Sequence, residues 1–148
     1  MFTISRATQA DINRLVELQT LAFAEDKKQC GSGPPGYDSV EHQLQALENY
    51  TYCKINQLNE IIGGFYYSKS ENTIHLIRLF IAPQFHRQGA GQAALKYLTA
   101  ELKSNGIIEL ETPTFSINAQ HFYEKNGFIK MKSIEYRDGS SYFYKKHT

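Results

Sequence analysis

The chain has 148 residues, of which 41% are hydrophobic and 21% charged, a composition typical of a soluble globular protein. This excludes a disordered or membrane-spanning chain and predicts one domain over residues 1–148. The net charge of +1 offers no overall attraction to nucleic acid. Cys30 and Cys53 form neither a CxxC pair nor a metal-binding pattern, so we expect reduced thiols. The N-terminus lacks an apolar signal segment, which favours a cytoplasmic location.

The N-terminal part of the chain predicts a strand, a helix and a long loop. Thr3–Arg6 is the strand, and Thr8 followed by Asp11 is typical of a helix N-terminus. Apolar residues at helical spacing come next. Residues 25–37 lack this periodicity, and the sequence GSGPPG at residues 31–36 predicts a loop.

A second helix and a hairpin are predicted next. Asp38 or Ser39 is the expected N-cap of the helix. The residues expected on its buried side are Val40, Leu44 and Leu47. Residues 50–57 and 61–68 predict two strands joined by a short turn. Because glycine has no side chain, Gly63-Gly64 inside the second strand predicts a bulge or a close approach of another backbone segment.

The centre of the chain predicts a strand–loop–helix–strand unit. The strand Ile74–Ile81 precedes a polar loop at residues 84–91, and the helix that follows is expected to end at the C-cap Asn105-Gly106. The apolar residues expected on one face of that helix are Ala94, Leu95, Leu98 and Leu102. The second strand, Ile107–Thr112, should be parallel to the first, since a crossover helix joins them. This arrangement directs loop and helix N–H groups toward one point, which favours a phosphate or pyrophosphate.

The C-terminal part predicts a helix and a hairpin. Ser116 or Asn118 is the expected N-cap, and Asn126-Gly127-Phe128 is typical of a Schellman C-terminus. Strands at residues 128–136 and 140–146 flank Asp138-Gly139, a strong hairpin signal. The predicted element order is β-α-α-β-β-β-α-β-α-β-β.

A dinucleotide-binding fold is an alternative explanation for the central loop. Residues 89–94 match G-x-G-x-x-A, and Glu109 and Glu111 follow about twenty residues later. In that fold, however, the first glycine turns the chain directly off the strand, whereas here residues 83–88 intervene. A doubly wound sheet also needs repeated βαβ units, and the sequence predicts one. These two observations argue against a dinucleotide-binding fold.

Two motifs resemble the GNAT superfamily of acyl-CoA-dependent N-acyltransferases. The first is an apolar strand end, a proline turn and a glycine loop that begins a helix, here Leu79-Phe80-Ile81, Pro83 and His86-Arg87-Gln88-Gly89-Ala90-Gly91. The second is a helix that runs into Gly-Phe, here with Asn118, Ala119, Phe122, Tyr123, Gly127 and Phe128. The resemblance covers nearly the whole chain. It implies a single-domain α/β fold with a mixed, mostly antiparallel sheet and acetyl transfer from acetyl-CoA to a primary amine in a ternary complex.

The resemblance also implies a set of cofactor-binding residues. Leu79 to Ile81 are expected to present main-chain groups to the pantetheine arm and the thioester carbonyl. The complete set is Leu79, Phe80, Ile81, His86, Arg87, Gln88, Gly89, Ala90, Gly91, Gln92, Asn118 and Tyr123. His86 stands where the family usually has Gln or Arg, and we expect Arg87 and Gln88 to compensate. Asn118 is expected to cap its helix, contact the pantetheine, or both.

Two residues are candidates for proton transfer. The resemblance places Tyr123 where relatives protonate the leaving thiolate, and a phenol stays protonated at neutral pH. The alternative for Tyr123 is a core or interface tyrosine. His75 lies six residues before Ile81, where many relatives carry a glutamate base, and histidine is competent there. It could instead only pack or hydrogen-bond in the strand. No residue spacing predicts a metal site.

The acceptor is expected to be a small-molecule or peptide amine. By resemblance its site comprises residues 25–37, the helix after Asp38 and residues 136–144. Nothing in the sequence identifies the amine. The second functional hypothesis is a regulatory module that binds acyl-CoA without useful catalysis. The tyrosine-rich terminal hairpin is compatible with a homodimer.

Overall fold

The computed structural model describes residues 1–31 and 33–148, except for the side chain of Cys30. Ser32 of the predicted loop and the predicted Cys30 thiol therefore lie outside the described residues. The strands are β1 (Phe2–Arg6), β2 (Thr51–Gln57), β3 (Glu60–Ser70), β4 (Thr73–Ile81), β5 (Ile107–Pro113), β6 (Ile129–Tyr136) and β7 (Gly139–His147). The helices are α1 (Ile12–Ala22), α2 (Ala24–Cys30), α3 (Val40–Asn49), α4 (Ala90–Ala100) and α5 (Ile117–Lys125), with 3-10 turns at Gln9–Asp11 and Pro83–Phe85.

The strands form a mixed sheet in the order β1-β2-β3-β4-β5-β7-β6. β4 and β5 are parallel and place His75 beside Glu109. The pairs β1–β2, β2–β3, β5–β7 and β6–β7 are antiparallel. The predicted α/β class, the mostly antiparallel sheet and the parallel βαβ unit are confirmed. A doubly wound parallel sheet is not formed, which removes the dinucleotide-binding alternative.

The described chain divides into two compact units, and β4 contributes to both. The first contains Met1–Tyr67 and Arg78–Tyr97, and the second contains Ser68–Ile77 and Leu98–Thr148. A single domain over residues 1–148 stays a prediction. Across the described residues, every helix is too short or too polar to cross a membrane.

In the first unit, Thr8 and Asp11 begin the helical segment as predicted. The Thr8 N–H donates to the Asp11 carboxylate at 2.9 Å, and Lys54 Nζ lies 3.0 Å from that carboxylate. A 3-10 turn precedes α1, whose Leu15 and Leu18 are fully buried. Burial of each leucine side chain stabilises the fold by about 1.5–3 kcal/mol. Cys53 on β2 is also fully buried.

The glycine pair in β3 shows both predicted features. The β2–β3 register shifts between Ile55 and Asn56, opposite this part of β3. A Cβ on Gly63 would lie 2.4 Å from the Phe80 carbonyl oxygen, closer than the 3.0 Å below which such contacts essentially never occur. Glycine therefore allows β3 and the end of β4 to approach each other.

Helix α2 was not predicted, because its residues offer no apolar face. Charged side chains at its two ends explain why this segment is helical. Glu25 and Asp26 lie in its first turn and Lys27 and Lys28 in its last, so each group has a favourable interaction with the helix dipole. Gly31, with φ +82°, ends the helix in the left-handed conformation.

The predicted buried side of α3 is wrong, although its N-cap, Ser39, is confirmed. Gln43 and Ala46 are the buried residues, whereas Val40 is exposed. Leu44 and Leu47 are half-buried. The helix turns Gln43 inward because its amide donates to the Gly36 carbonyl and its oxygen accepts two buried hydrogen bonds. These bonds offset the cost of burying the amide.

Helix α4 ends at Ala100, so the predicted C-cap at Asn105-Gly106 is wrong. The reason is a contact from the turn between β3 and β4. The Asn72 side chain accepts a hydrogen bond from the Lys103 N–H at 2.8 Å and donates to the Lys103 and Ser104 carbonyls. These bonds hold the chain in a non-helical path, and Asn105, with φ +64°, then turns it toward β5.

In the second unit, α5 ends in the predicted Schellman motif. The Phe128 N–H donates to the Tyr123 carbonyl at 3.0 Å, and the Gly127 N–H donates to the Glu124 carbonyl at 3.2 Å. The rings of Tyr123 and Phe128 also make contact, with centroids 5.4 Å apart. The C-terminal hairpin β6–β7 is confirmed, but its turn lies one residue earlier than predicted, since Tyr136 pairs with Gly139 and leaves Arg137 and Asp138 in the turn.

Candidate functional site

The first part of the candidate site is the end of β4, which belongs to the first unit. Phe80 is buried, whereas Leu79 and Ile81 are half-buried. The Ala82 N–H donates to the Ile62 carbonyl at 3.0 Å, which attaches the strand end to β3. Together with the close approach at Gly63, this bond fixes the backbone that was predicted to meet the pantetheine.

The loop between β4 and α4 has the backbone geometry of an anion-binding turn. Arg87 and Gly89 have left-handed φ values of +62° and +92°. Helix α4 starts at Ala90, and the Ala93 N–H donates to the Gly89 carbonyl at 3.0 Å, as in a first helical turn. The earlier N–H groups of α4 therefore have no intrahelical acceptor and point out of its N-terminus. An anionic group such as a phosphate satisfies such N–H groups.

The His86 side chain turns back to the strand. Its Nε2 lies 2.8 Å from the Ile81 carbonyl oxygen. A carbonyl oxygen only accepts, so Nε2 carries the proton and donates. His86 thus connects the loop to the strand end, while Arg87 and Gln88 are exposed. His86 is exposed as well, and the Gln88 side chain accepts a hydrogen bond from Gln57 and donates one to the Gln84 carbonyl.

In the second unit, His75 has a carboxylate neighbour that sequence analysis did not identify. Parallel pairing places Glu109 of β5 beside it, and His75 Nδ1 lies 3.5 Å from Glu109 Oε1. The side chains are 37% and 26% exposed, respectively. A carboxylate at Nδ1 favours the tautomer in which Nε2 is the proton acceptor. Register in a parallel sheet produces this pair, and the sequence carried no local signal for it.

Tyr123 lies in α5 within an aromatic cluster of the second unit. Its ring centroid is 5.2 Å from that of Phe122 and 6.4 Å from that of Tyr144. The residue is 9% exposed, and burial raises the pKa of its phenol above the ordinary value. The hydroxyl is therefore protonated at neutral pH, as an acid must be before it donates.

Asn118 does not cap α5, so that alternative is wrong. The helix starts at Ile117 and its N-cap is Ser116. Asn118 is exposed in the first turn. Its predicted contact with the pantetheine stays a prediction.

A buried polar cluster in the first unit was also missed. Arg78 Nη1 donates to Gln19 Oε1 at 3.1 Å, and Gln19 Nε2 donates to Gln43 Oε1 at 2.8 Å. The Tyr52 hydroxyl donates to the same Gln43 oxygen at 2.7 Å. The sequence carried one signal for this cluster. Side chains alternate between the two faces of a strand, so Arg78 shares a face of β4 with Leu76 and Phe80, and an arginine on that face needs hydrogen-bond partners.

In the region expected to bind the acceptor, the Tyr136 hydroxyl donates to Glu111. This hydrogen bond raises the pKa of Tyr136. A separate surface pocket is lined by Gln9, Leu44, Leu47 and Glu48. Leu44, Leu47 and Glu48 belong to α3, the helix after Asp38 that was expected to contribute to the acceptor site.

Comparison with known proteins agrees with this geometry. Residues 12–128 match the sequence profile described as the acetyltransferase (GNAT) family. An uncharacterized protein of Bacillus subtilis (strain 168), YrkN, is 29% identical over 119 residues, which cover 78% of this chain and 64% of that protein. The profile match confirms the resemblance drawn from the two motifs.

Solved structures are similar over nearly the full chain. The paia N-acetyltransferase of Thermoplasma acidophilum, in complex with coenzyme A, has a TM-score of 0.77 at 18% identity and covers 100% of this chain and 99% of its own. The ribosomal-protein-S18-alanine N-acetyltransferase of Escherichia coli has a TM-score of 0.78 at 20% identity, with 99% and 94% covered. These likenesses confirm the predicted fold.

Proposed function

Because the chain belongs to the acetyltransferase (GNAT) family, a family of acyltransferases, we propose that it transfers an acetyl group from acetyl-CoA to a primary amine. The transfer is direct and takes place in a ternary complex. The observation that carries the proposal is the loop before α4, where left-handed Arg87 and Gly89 precede unpaired helical N–H groups. That geometry suits the pyrophosphate of coenzyme A, the ligand bound to the similar Thermoplasma acidophilum protein.

The residues of the chain have separate roles in this proposal. Main-chain groups of α4 and its loop bind the pyrophosphate, and those of Leu79 to Ile81 bind the pantetheine and polarise the thioester carbonyl. His75, oriented by Glu109, accepts a proton from the ammonium group of the acceptor. Asn118 is the proposed further contact to the pantetheine.

The bonds change as follows. The neutral amine attacks the thioester carbon, the C–N bond forms, the nitrogen releases its second proton to solvent, and the C–S bond breaks. Tyr123 gives its proton to the leaving thiolate and regains one from solvent. The products are the N-acetylated amine, coenzyme A and one proton. The acceptor is a small-molecule or peptide amine, and the similar Escherichia coli protein is named for a peptide amine of this kind.

Thermal unfolding with acetyl-CoA tests the binding step. At a hundred times its Kd, acetyl-CoA should stabilise the protein by roughly 2.7 kcal/mol, a Tm shift of about 5–10 °C. Coenzyme A should act similarly, and NAD should have no effect. No shift with acetyl-CoA, or a larger one with NAD, would refute the proposed ligand. Coenzyme A release across a panel of amines then distinguishes an enzyme from a module that only binds acyl-CoA.

Two glycine variants provide a matched control. Gly89→Ala and Gly31→Ala each place an alanine at a left-handed φ, +92° and +82°, without a steric clash at either site. Each should cost about 1 kcal/mol of stability. Only Gly89→Ala should reduce the Tm shift caused by acetyl-CoA, because only Gly89 lies in the loop. Equal shifts in both variants would contradict the assignment of the loop.

A further inference from the structure

Arg78 is an unusual residue for the buried face of a strand. It lies between Leu76 and Phe80, both buried, and is itself half-buried. Its Nη1 donates to the Gln19 side chain at 3.1 Å and its Nη2 donates to the Pro35 carbonyl at 2.8 Å. Both acceptors are neutral, so the positive charge is solvated by dipoles alone.

No carboxylate in the described part of the chain lies within ion-pair distance of Arg78. The ion pairs found there involve Arg14, Lys54 and His75. Burial lowers the pKa of the Arg78 guanidinium, although the group stays charged. A buried cation normally has an anionic partner, because desolvation is costly. The guanidinium also has five N–H donors, more than its two neutral acceptors satisfy.

The Tyr66 hydroxyl is a second unsatisfied group in the same place. It is fully buried, and no described residue forms a hydrogen bond of normal geometry with it. Burial raises the pKa of the Tyr66 phenol, and Arg78 and Gln43 oppose part of this rise; the Gln43 side chain is already bonded to Gly36, Gln19 and Tyr52. Arg78 Cζ lies over the Tyr66 ring, 5.5 Å from its centroid. The phenol donor and the guanidinium therefore belong to one cluster.

We propose that Arg78 and the Tyr66 hydroxyl bind a carboxylate of the acceptor, so that the substrate is a small amine that also carries a carboxylate, such as a free amino acid. The carboxylate replaces the Pro35 carbonyl at Nη2 and accepts a hydrogen bond from the Tyr66 hydroxyl. An arginine fork matches a carboxylate in shape, and charge-assisted hydrogen bonds are strong. Tyr50 stacks on Tyr66, with centroids 5.7 Å apart, and its partly exposed ring offers an apolar surface to the substrate side chain.

This inference rests on the proposed acetyl transfer, because Arg78 directly precedes Leu79, the first residue proposed to contact the pantetheine. A carboxylate at Arg78 therefore lies one residue along β4 from this proposed contact, on the strand face that Leu76 and Phe80 share and His75 does not. A purely structural role for Arg78, which is to hold Pro35 against α1, makes a different prediction. In that case, substitution of Arg78 would change stability but not the preference for amines with a carboxylate over amines without one.

Matched pairs of amines test the inference, with coenzyme A release as the assay. Each pair differs by the carboxylate: phenylalanine and phenethylamine, lysine and cadaverine, γ-aminobutyrate and propylamine. The wild-type protein should have kcat/KM at least roughly tenfold higher for the carboxylate member of a pair that it accepts. Arg78→Lys keeps the charge but loses the fork, and it should reduce this preference through KM rather than kcat.

Two tyrosine variants make the result specific. Tyr66→Phe removes an unpartnered hydroxyl, so it should leave Tm unchanged or raised while it reduces the preference for the carboxylate. Tyr52→Phe removes a hydroxyl with two partners, so it should lower Tm and retain the preference. Equal kcat/KM within the wild-type pairs, no acetylation of any common amino acid, or an unchanged preference in Tyr66→Phe and Arg78→Lys would each overturn the inference. A protein that neither binds acetyl-CoA nor releases coenzyme A would instead refute the proposed function.

Discussion

The Tyr123→Phe variant should separate catalysis from stability. The substitution removes one oxygen and keeps the ring contacts with Phe122, Phe128 and Tyr144. The free energy of unfolding should therefore change by less than about 1 kcal/mol. Loss of a positioned acid typically lowers a rate by about 10²–10⁴-fold, which raises the barrier by roughly 3–5 kcal/mol. We expect kcat to fall by this factor, with an acetyl-CoA Kd close to that of the wild type.

Tyr144→Phe is the matched control. The Tyr144 hydroxyl donates to Glu124 Oε2 at 2.6 Å, and its side chain is fully buried in the same aromatic cluster. Removal of a hydrogen bond to a charged acceptor costs about 1.5–3 kcal/mol, so this variant should lower Tm by several degrees and retain kcat. Coenzyme A release gives kcat, and thermal unfolding gives Tm. An unchanged kcat in Tyr123→Phe, or equal losses of kcat in both variants, would refute Tyr123 as the acid.

Further variants and conditions test other parts of the structure. Gly63→Ala places a Cβ 2.4 Å from the Phe80 carbonyl oxygen. It should lower the free energy of unfolding, measured in urea, by about 1–3 kcal/mol and weaken acetyl-CoA binding. Unchanged binding would show that this strand end does not contact the cofactor. His75→Gln should lower kcat/KM and change its pH profile, and an unchanged profile would mean that another group or a water chain is the base. Four buried tyrosines have raised pKa values, and the unfolded chain loses those protons above about pH 10 while the folded chain keeps them. The contribution of these tyrosines to stability should therefore be constant below about pH 9 and fall above pH 10 by up to about 1.4 kcal/mol per pH unit for each tyrosine, and a flat urea midpoint from pH 8 to 11 would contradict this.

The sequence alone determined the features that depend on neighbouring residues. Gly127 specifies the end of α5 because its φ of +91° suits glycine, and Asp138-Gly139 specifies the final hairpin for a similar reason. Strand alternation and the crossover helix were sufficient to predict that β4 and β5 are parallel. The two motifs predicted the family, since their glycine, proline and aromatic residues lie at fixed spacing in the loop before α4 and in α5.

Only the tertiary structure decided the features that depend on residues far apart in the chain. Asn72 ends α4 before its predicted cap, and Gln43 rotates α3 inward because its hydrogen-bond partners lie on other elements. Pairing of β4 with β5 brings Glu109 to His75, and folding brings Gln19 and Pro35 to Arg78. A buried polar group requires a partner, but its own sequence neighbourhood does not say which residue supplies it.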